Sequence, residues 1–181
     1  MRLETPRLLL REFVADDWPA VLAYQSDPLY LRYYYWTERT AADVRDFVQM
    51  FLDQQAEQPR TKFQLALVLK AEGRLIGNCG IRINDPDQRE ANIGYELESR
   101  SWGQGLASEA ASEIVRFGFT ELGLHRIWSW CLAVNVGSAR VMEKVGMRRE
   151  GQLRQKEWIK GSWHDHLLYA ILEEEWRNHH R

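Results

Sequence analysis

The chain is short of the residues on which several common chemistries depend. Its two cysteines in 181 residues, Cys79 and Cys131, each lie in an apolar run with no second thiol or histidine at zinc spacing. That pattern argues for reduced core thiols over a disulfide or a metal site, and no metal is expected. His164-Asp165-His166 sets two imidazoles on one strand face and reads as an ordinary surface pair. No run approaches the ~18 apolar residues of a membrane span, and Met1 to Pro6 do not read as a signal sequence, so a cytoplasmic protein without membrane contact is expected. Neither sign of charge dominates: 24 Lys+Arg stand against 26 Asp+Glu, a net charge of −2, which excludes recognition of nucleic acid through a general basic field. The cations between 139 and 160, among them Arg140, Lys144 and Arg154, read as solvated surface. With only 5 prolines and no low-complexity linker, and 45% hydrophobic residues, the sequence is expected to form one domain over 1–181.

What is present is a regular alternation of elements. Leu8 to Phe13 reads as a strand, and Asp16-Asp17 then caps a helix from Trp18 to Gln25 with Pro19 in its first turn. Val44, Phe47, Val48 and Phe51 repeat at helical spacing behind Thr40. Between these helices runs the aromatic connection Asp27 to Trp36, whose rings suit core packing, an interface or a pocket wall. Phe63 to Leu69 and Leu75 to Ile83 form a hairpin around Ala71-Glu72-Gly73, and Ala91 to Leu97 is the next strand. A long amphipathic helix follows from Leu106, with Gly123 as its stop. Arg126 to Ala133 is a strand, Ser138 to Val145 a short helix closed by Gly146, and Arg148 to Ile159 and Trp163 to Leu172 are the last strands. The expected order is β–α–α–β–β–β–α–β–α–β–β. This is an α/β (α+β) fold with a mainly antiparallel twisted sheet, a central βαβ crossover and flanking helices.

The most informative stretch is Ile93 to Ala110, where a strand runs through Gly103 and Gly105 straight into a helix. Free N–H groups and the aligned peptide dipoles make such a helix start an anion site. A P-loop needs Lys then Ser/Thr after its last glycine, and this turn supplies neither. A dinucleotide site needs an acidic residue about 20 positions on, and there is none from Leu122 to Met142.

Beyond these eliminations, Trp102-Gly103-Gln104-Gly105-Leu106-Ala107 resembles the pyrophosphate-binding motif of the GNAT family of N-acetyltransferases, with Trp102 in place of the usual polar first residue. The wider pattern is similar to the family's Rim-type branch of ribosomal-protein N-terminal acetyltransferases. It comprises Thr5-Pro6-Arg7-Leu8-Leu9-Leu10-Arg11, Ala107-Ser108-Glu109-Ala110, Asn135 to Gly146, Glu150-Gly151, Glu157 to Gly161, Asp165 and Tyr169-Ala170.

The resemblance implies acetyl-CoA as donor and direct attack by a primary amine without a covalent enzyme intermediate. It implies a cofactor site formed by the backbone of Tyr95, Glu96 and Leu97, by Gly103, Gln104, Gly105, Leu106, Ala107 and Ser108, and by Asn135, although Asn135 serves equally as a helix cap. Many relatives carry a tyrosine seven residues after that asparagine, where this chain has Met142, and a glutamate where Trp130 stands. The Rim-type branch points instead to Ser138 as acid and Glu157 as base, against a helix cap and a solvated carboxylate as the plainer readings. Glu96 and Glu98 are fallback bases. Tyr33, Tyr34 and Trp36 are candidates for the acceptor pocket.

An α-amine of pKa near 8 is about a tenth neutral at pH 7, whereas a lysine near 10.4 is well under about one part in a thousand neutral. That favours an N-terminal amine, or a small amine of low pKa, over a protein lysine, and the N-terminus of a protein or peptide is the expected acceptor. A small-molecule amine and a silent acyl-CoA sensor are the alternatives. Trp158, Trp163 and Trp176 suit a homodimer contact as well as a monomer's core.

Overall fold

The alternating apolar pattern folds into one continuous eight-stranded sheet, seen in a computed structural model that describes residues 1–179. The strands are β1 (Arg2–Glu4), β2 (Leu8–Glu12), β3 (Lys62–Leu69), β4 (Arg74–Asp85), β5 (Glu90–Leu97), β6 (Arg126–Leu132), β7 (Arg148–Ile159) and β8 (Ser162–Leu172). Their spatial order is β1-β2-β3-β4-β5-β6-β8-β7, antiparallel at every pairing except β5–β6. The helices are α1 (Trp18–Gln25), α2 (Pro28–Leu31), α3 (Ala41–Ala56), α4 (Leu106–Thr120), α5 (Val136–Lys144) and α6 (Glu173–His179). α4 is the crossover that makes β5 and β6 parallel.

Three elements add to the expected order. β1 is too short for a periodicity signal. α2 occupies the aromatic connection: Asp27 accepts a hydrogen bond from the Leu29 N–H and Pro28 takes the first helical position. α6 follows β8 directly.

Helices cover both faces of the sheet. α4 and α5 bury Leu106, Ile114, Val115 and Met142 against Leu65, Cys79, Ile81 and Ile127. On the other face α1, α2 and α3 bury Val21, Tyr24, Tyr30, Val44, Val48 and Phe51 around Phe13 and Ala66. Each such aliphatic or aromatic side chain contributes about 1.5–3 kcal/mol on leaving water. Cys79 and Cys131 are buried and free, as the sequence suggested. No described helix is long and apolar enough to cross a membrane.

β4 carries an irregularity that matters for the site. Leu67 pairs with Gly77 and Val68 with Leu75, so Ile76 is an extra residue opposite β3. Gly77 then lies so close to β5 that a Cβ on it would stand 2.1 Å from the Glu96 carbonyl oxygen.

Candidate active site

The one parallel pairing among the described residues fails early. β5 and β6 are in register at Glu90–Arg126, Ala91–Ile127 and Asn92–Trp128 and no further. A last tie, from the buried Ser129 hydroxyl to the Ile93 carbonyl at 2.9 Å, holds them before they diverge. Beyond it opens a cavity of about 820 Å³ lined from Asn92 through Leu97 on one side and from Ser129 through Leu132 on the other.

Strand geometry decides which main-chain groups face this opening, because successive residues direct their N–H and C=O to opposite neighbours. Glu98 donates its N–H to Ile76 of β4 at 2.8 Å, so Glu96 and Gly94 also turn theirs toward β4. Ile93 and Leu97 turn the other way, since their carbonyls accept from Ser129 and from Trp102 Nε1 at 2.8 Å. Tyr95 therefore presents both main-chain groups to the opening, and Leu97 presents its N–H. Glu96 contributes its side chain instead.

The far end of the cavity is the turn into α4. Gly103 (φ 75°) and Gly105 (φ 79°) both hold a left-handed conformation, which only glycine adopts without strain. Gly105 caps α4 without a side chain, leaving the N–H groups of Leu106, Ala107 and Ser108 open to the cavity they line. Gly103 also lines it, whereas the exposed Gln104 turns away and donates to the Arg100 carbonyl at 3.0 Å. Arg140 and Lys144, read from sequence as plain surface, line the cavity from α5.

The turn is braced from the N-terminal segment. Glu109 Oε1 accepts from the Thr5 hydroxyl at 2.5 Å and the Arg7 N–H at 2.9 Å, and Oε2 from Arg7 Nε at 2.6 Å. Arg7 also donates to the Gln104 carbonyl at 2.8 Å. Burial raises the Glu109 carboxyl, but these donors outweigh it and hold the group below the ordinary carboxylate range.

Glu96 projects into the cavity on the face of β5 covered by α1 and α2. Its Oε2 accepts from Gln25 Nε2 and Asn78 Nδ2 at 3.1 Å each and from the Tyr24 hydroxyl at 3.2 Å. Burial dominates over these donors and raises its carboxyl above the ordinary range. Tyr33 and Tyr34 line the cavity nearby, while Trp36 lies behind Tyr34, stacked at 4.7 Å between centroids. Glu98 is occupied elsewhere. Its carboxylate accepts from Arg74, Arg100 and the Ser101 hydroxyl, with contacts of 2.6–2.8 Å.

On the opposite face, Asn135 caps α5 by accepting from the Ser138 N–H at 3.1 Å, so the cap is the asparagine and not Ser138. The Ser138 hydroxyl is left facing the Tyr95 hydroxyl at 2.9 Å, and both residues line the cavity. Burial, against the lowering effect of Ser138, pushes the Tyr95 hydroxyl well above its usual value, so it stays protonated. The Cys131 thiol, also in the lining, is pushed up to about 11 by burial.

Glu157 stands outside the cavity lining, hydrogen-bonded to His166 Nε2 at 2.9 Å. His166 is buried and stacks on Trp130, which does line the cavity, at 4.1 Å between centroids. His164 and His166 are thus not a surface pair: His166 is core, and His164 meets the Ser162 hydroxyl at 2.9 Å. No group of three or more potential metal ligands occurs among the described residues.

The acetyltransferase (GNAT) domain profile matches residues 7–148. The chain is 38% identical over 176 residues to the uncharacterised N-acetyltransferase YnaD of Bacillus subtilis (strain 168), covering 97% of this chain and 99% of that protein. A GNAT-family acetyltransferase crystal structure from Bacillus anthracis superposes with a TM-score of 0.84 at 34% identity, over 96% of this chain and 99% of the other. The fold also matches RimL, a ribosomal L7/L12 α-N-protein acetyltransferase in complex with coenzyme A, with a TM-score of 0.83 at 20% identity over 95% and 98% of the two chains. The cavity, with its free helix N-terminus at one end and an unpaired strand along its side, suits the phosphates and the amide-bearing arm of that cofactor. The chain belongs to the GNAT acetyltransferase family and is an acetyl-CoA-dependent N-acetyltransferase.

Proposed function

We propose that the protein acetylates an α-amine, with the N-terminus of a protein or peptide as acceptor, and that Glu96 and Ser138 handle the two protons. The observation that carries this reading is their placement on opposite faces of β5. Glu96 enters the cavity from the α1–α2 face, and Ser138 meets Tyr95 on the α4–α5 face. Acetyl-CoA supplies a thioester already activated toward amines. Leu106, Ala107 and Ser108 bind its pyrophosphate through their N–H groups, with Arg140 and Lys144 adding charge, while Tyr95 and Leu97 orient its arm by main-chain hydrogen bonds. Glu96 takes the proton of the acceptor ammonium, and burial, by raising its carboxyl, makes it a stronger base for that task than an exposed glutamate. Ser138 gives a proton to the departing sulfur and regains one from solvent, while Tyr95, donating its hydroxyl proton to the Ser138 carbonyl at 2.9 Å, holds the serine in place.

A modest base suits an α-amine better than a lysine, because about a tenth of an α-amine is already neutral at pH 7. Tyr33 and Tyr34 give the acceptor its wall. Glu157 supports the β6 side of the cavity through His166 and Trp130, as a positioning residue.

Thiol release from acetyl-CoA across N-terminal peptides and small amines tests the reading. Peptides turned over in preference to lysine side chains and polyamines support it. Turnover of small amines alone would move the acceptor to metabolites, and acetyl-CoA binding with no turnover would make the protein a sensor. Glu157→Gln separates the two glutamates: a lost acid limb in its pH profile would return the base role to Glu157.

A further inference from the structure

We propose that the acceptor carries a carboxylate on the same residue as its reacting amine, and that Arg82 receives it. The inference rests on the acetyl-transfer reading and concerns a residue that no motif singles out. In the β4–β5 register Asn78 stands opposite Glu96, Gly80 opposite Gly94 and Arg82 opposite Asn92. Directly opposed residues share a face, so Arg82 and Glu96 lie on the same side of the sheet, with two glycines between them. Gly80 is covered by the Gln64 side chain, but Gly94 is part of the cavity lining, and the guanidinium leans over it: a Cβ on Gly94 would lie 3.1 Å from an Arg82 nitrogen.

The charge on Arg82 is unusual for this molecule. Most other partly buried arginines are matched to carboxylates: Arg11 to Asp17, Arg60 to Glu12, Arg74 to Glu98, Arg116 to Glu113 and Arg126 to Glu90 and Glu150. Arg39, the exception, lies outside the cavity lining, donating to Gln25 Oε1 at 3.0 Å and stacked over Trp36. Arg82 has no carboxylate within 4.0 Å among the described residues, and its hydrogen bond is to the neutral Gln64 Oε1 at 2.6 Å. A guanidinium has five donors and stays charged, so this one carries donors beyond its bond to Gln64 beside the cavity it lines. Withdrawing such a charge from water without an anion is costly.

Glu96 and Arg82 thus form a separated pair of opposite charges, both lining the cavity on either side of Gly94. A ligand that offers an ammonium to Glu96 and a carboxylate to Arg82 satisfies both. Two sources supply this chemistry: the α-carboxylate of a free amino acid, and the acidic side chain of an N-terminal Asp or Glu in a peptide.

Thiol-release assays on the full chain with matched pairs test the proposal. One arm compares free amino acids with their amides; the other compares amidated peptides headed by Asp or Glu with those headed by Asn or Gln. A carboxylate preference in kcat/KM of about tenfold or more is expected in at least one arm, as for one charge-assisted hydrogen-bonded contact. The arm that shows it identifies the source. Arg82→Gln should abolish the preference, and Arg82→Lys should retain part of it. Amides turned over as well as carboxylates by the unaltered enzyme would overturn the proposal while leaving acetyl transfer intact, as would an undiminished preference in a folded Arg82→Gln variant. Absence of turnover with every amine, despite acetyl-CoA binding, would instead overturn the underlying reading.

Discussion

Glu96 is a carboxylate whose neighbours oppose each other. Burial raises its pKa, and Gln25, Tyr24 and Asn78 hold it back. Tyr24, Tyr30 and Tyr34 around it are themselves raised by burial and remain neutral, and Arg82 is a cation coupled to it electrostatically. Since the folded value exceeds the ordinary 4.5, folding stability falls as pH rises from that value through the folded one. Glu96→Gln should remove this slope from urea unfolding measured across the same window. The variant should also lose about 10²–10⁴-fold in kcat, together with an acid limb lying above the usual carboxylate range. A variant with full kcat would strip Glu96 of the base role.

Legibility at this scale depended on whether a residue's role is local. Gly103, Gly105 and Asn135 announce themselves because a turn and a cap need those residue types. Glu96 and Glu98 are near-identical in sequence context, and only the β4 register and the partners of each separate a cavity carboxylate from an occupied one. Arg82 carries no local signal, since its significance lies in a missing partner.

Among elements, the start of α4 depends on a segment far away in sequence. Thr5-Pro6-Arg7 is legible as a motif, but its purpose emerges only where Thr5 and Arg7 grip Glu109 and the turn at Gln104. Because the folded pKa of Glu109 is depressed, its contribution is present above the unfolded value and fades as pH falls through the folded one. Glu109→Gln should therefore cost about 1–2 kcal/mol near neutral pH, discounted for the exposure of Arg7, and progressively less in acid. Its KM for acetyl-CoA should rise as the turn loosens. Equal melting temperatures at pH 7 would show that the brace contributes nothing. α2 was legible in principle from Asp27-Pro28, but a four-residue helix offers no periodicity to confirm it.

The bulge in β4 makes a second element-scale prediction. Gly77→Ala would put a methyl group against the Glu96 carbonyl, a main-chain atom that cannot swing aside. A loss of about 2–3 kcal/mol in chemical denaturation is expected, with acetyl transfer impaired in the surviving folded fraction. An unaffected variant would mean that β5 can shift without disturbing Glu96.

At the scale of the whole molecule, the hydrophobic alternation made the layered α/β order readable, whereas the break between β5 and β6 left no mark in that pattern. Nothing in the composition of Gly94 to Leu97 says that their strand stops pairing. The outer strand β7 is different, with Arg148, Arg149, Glu150, Arg154 and Lys156 exposed along it. Charges of that kind keep a sheet's rim from recruiting other chains.

The opening beside Tyr95 leaves main-chain groups unpaired as well, so the fold carries an edge strand in its own interior. Its N–H and C=O groups are a template for any extended segment that reaches them, including one from another copy of the chain. Coenzyme A would then act as a plug against self-association as well as a reactant. Gentle heating should produce sheet-rich aggregates sooner without coenzyme A than with it, and hydrogen exchange at Tyr95 and Leu97 should slow on its addition. Equal aggregation rates would show that the cavity walls shield this edge without help.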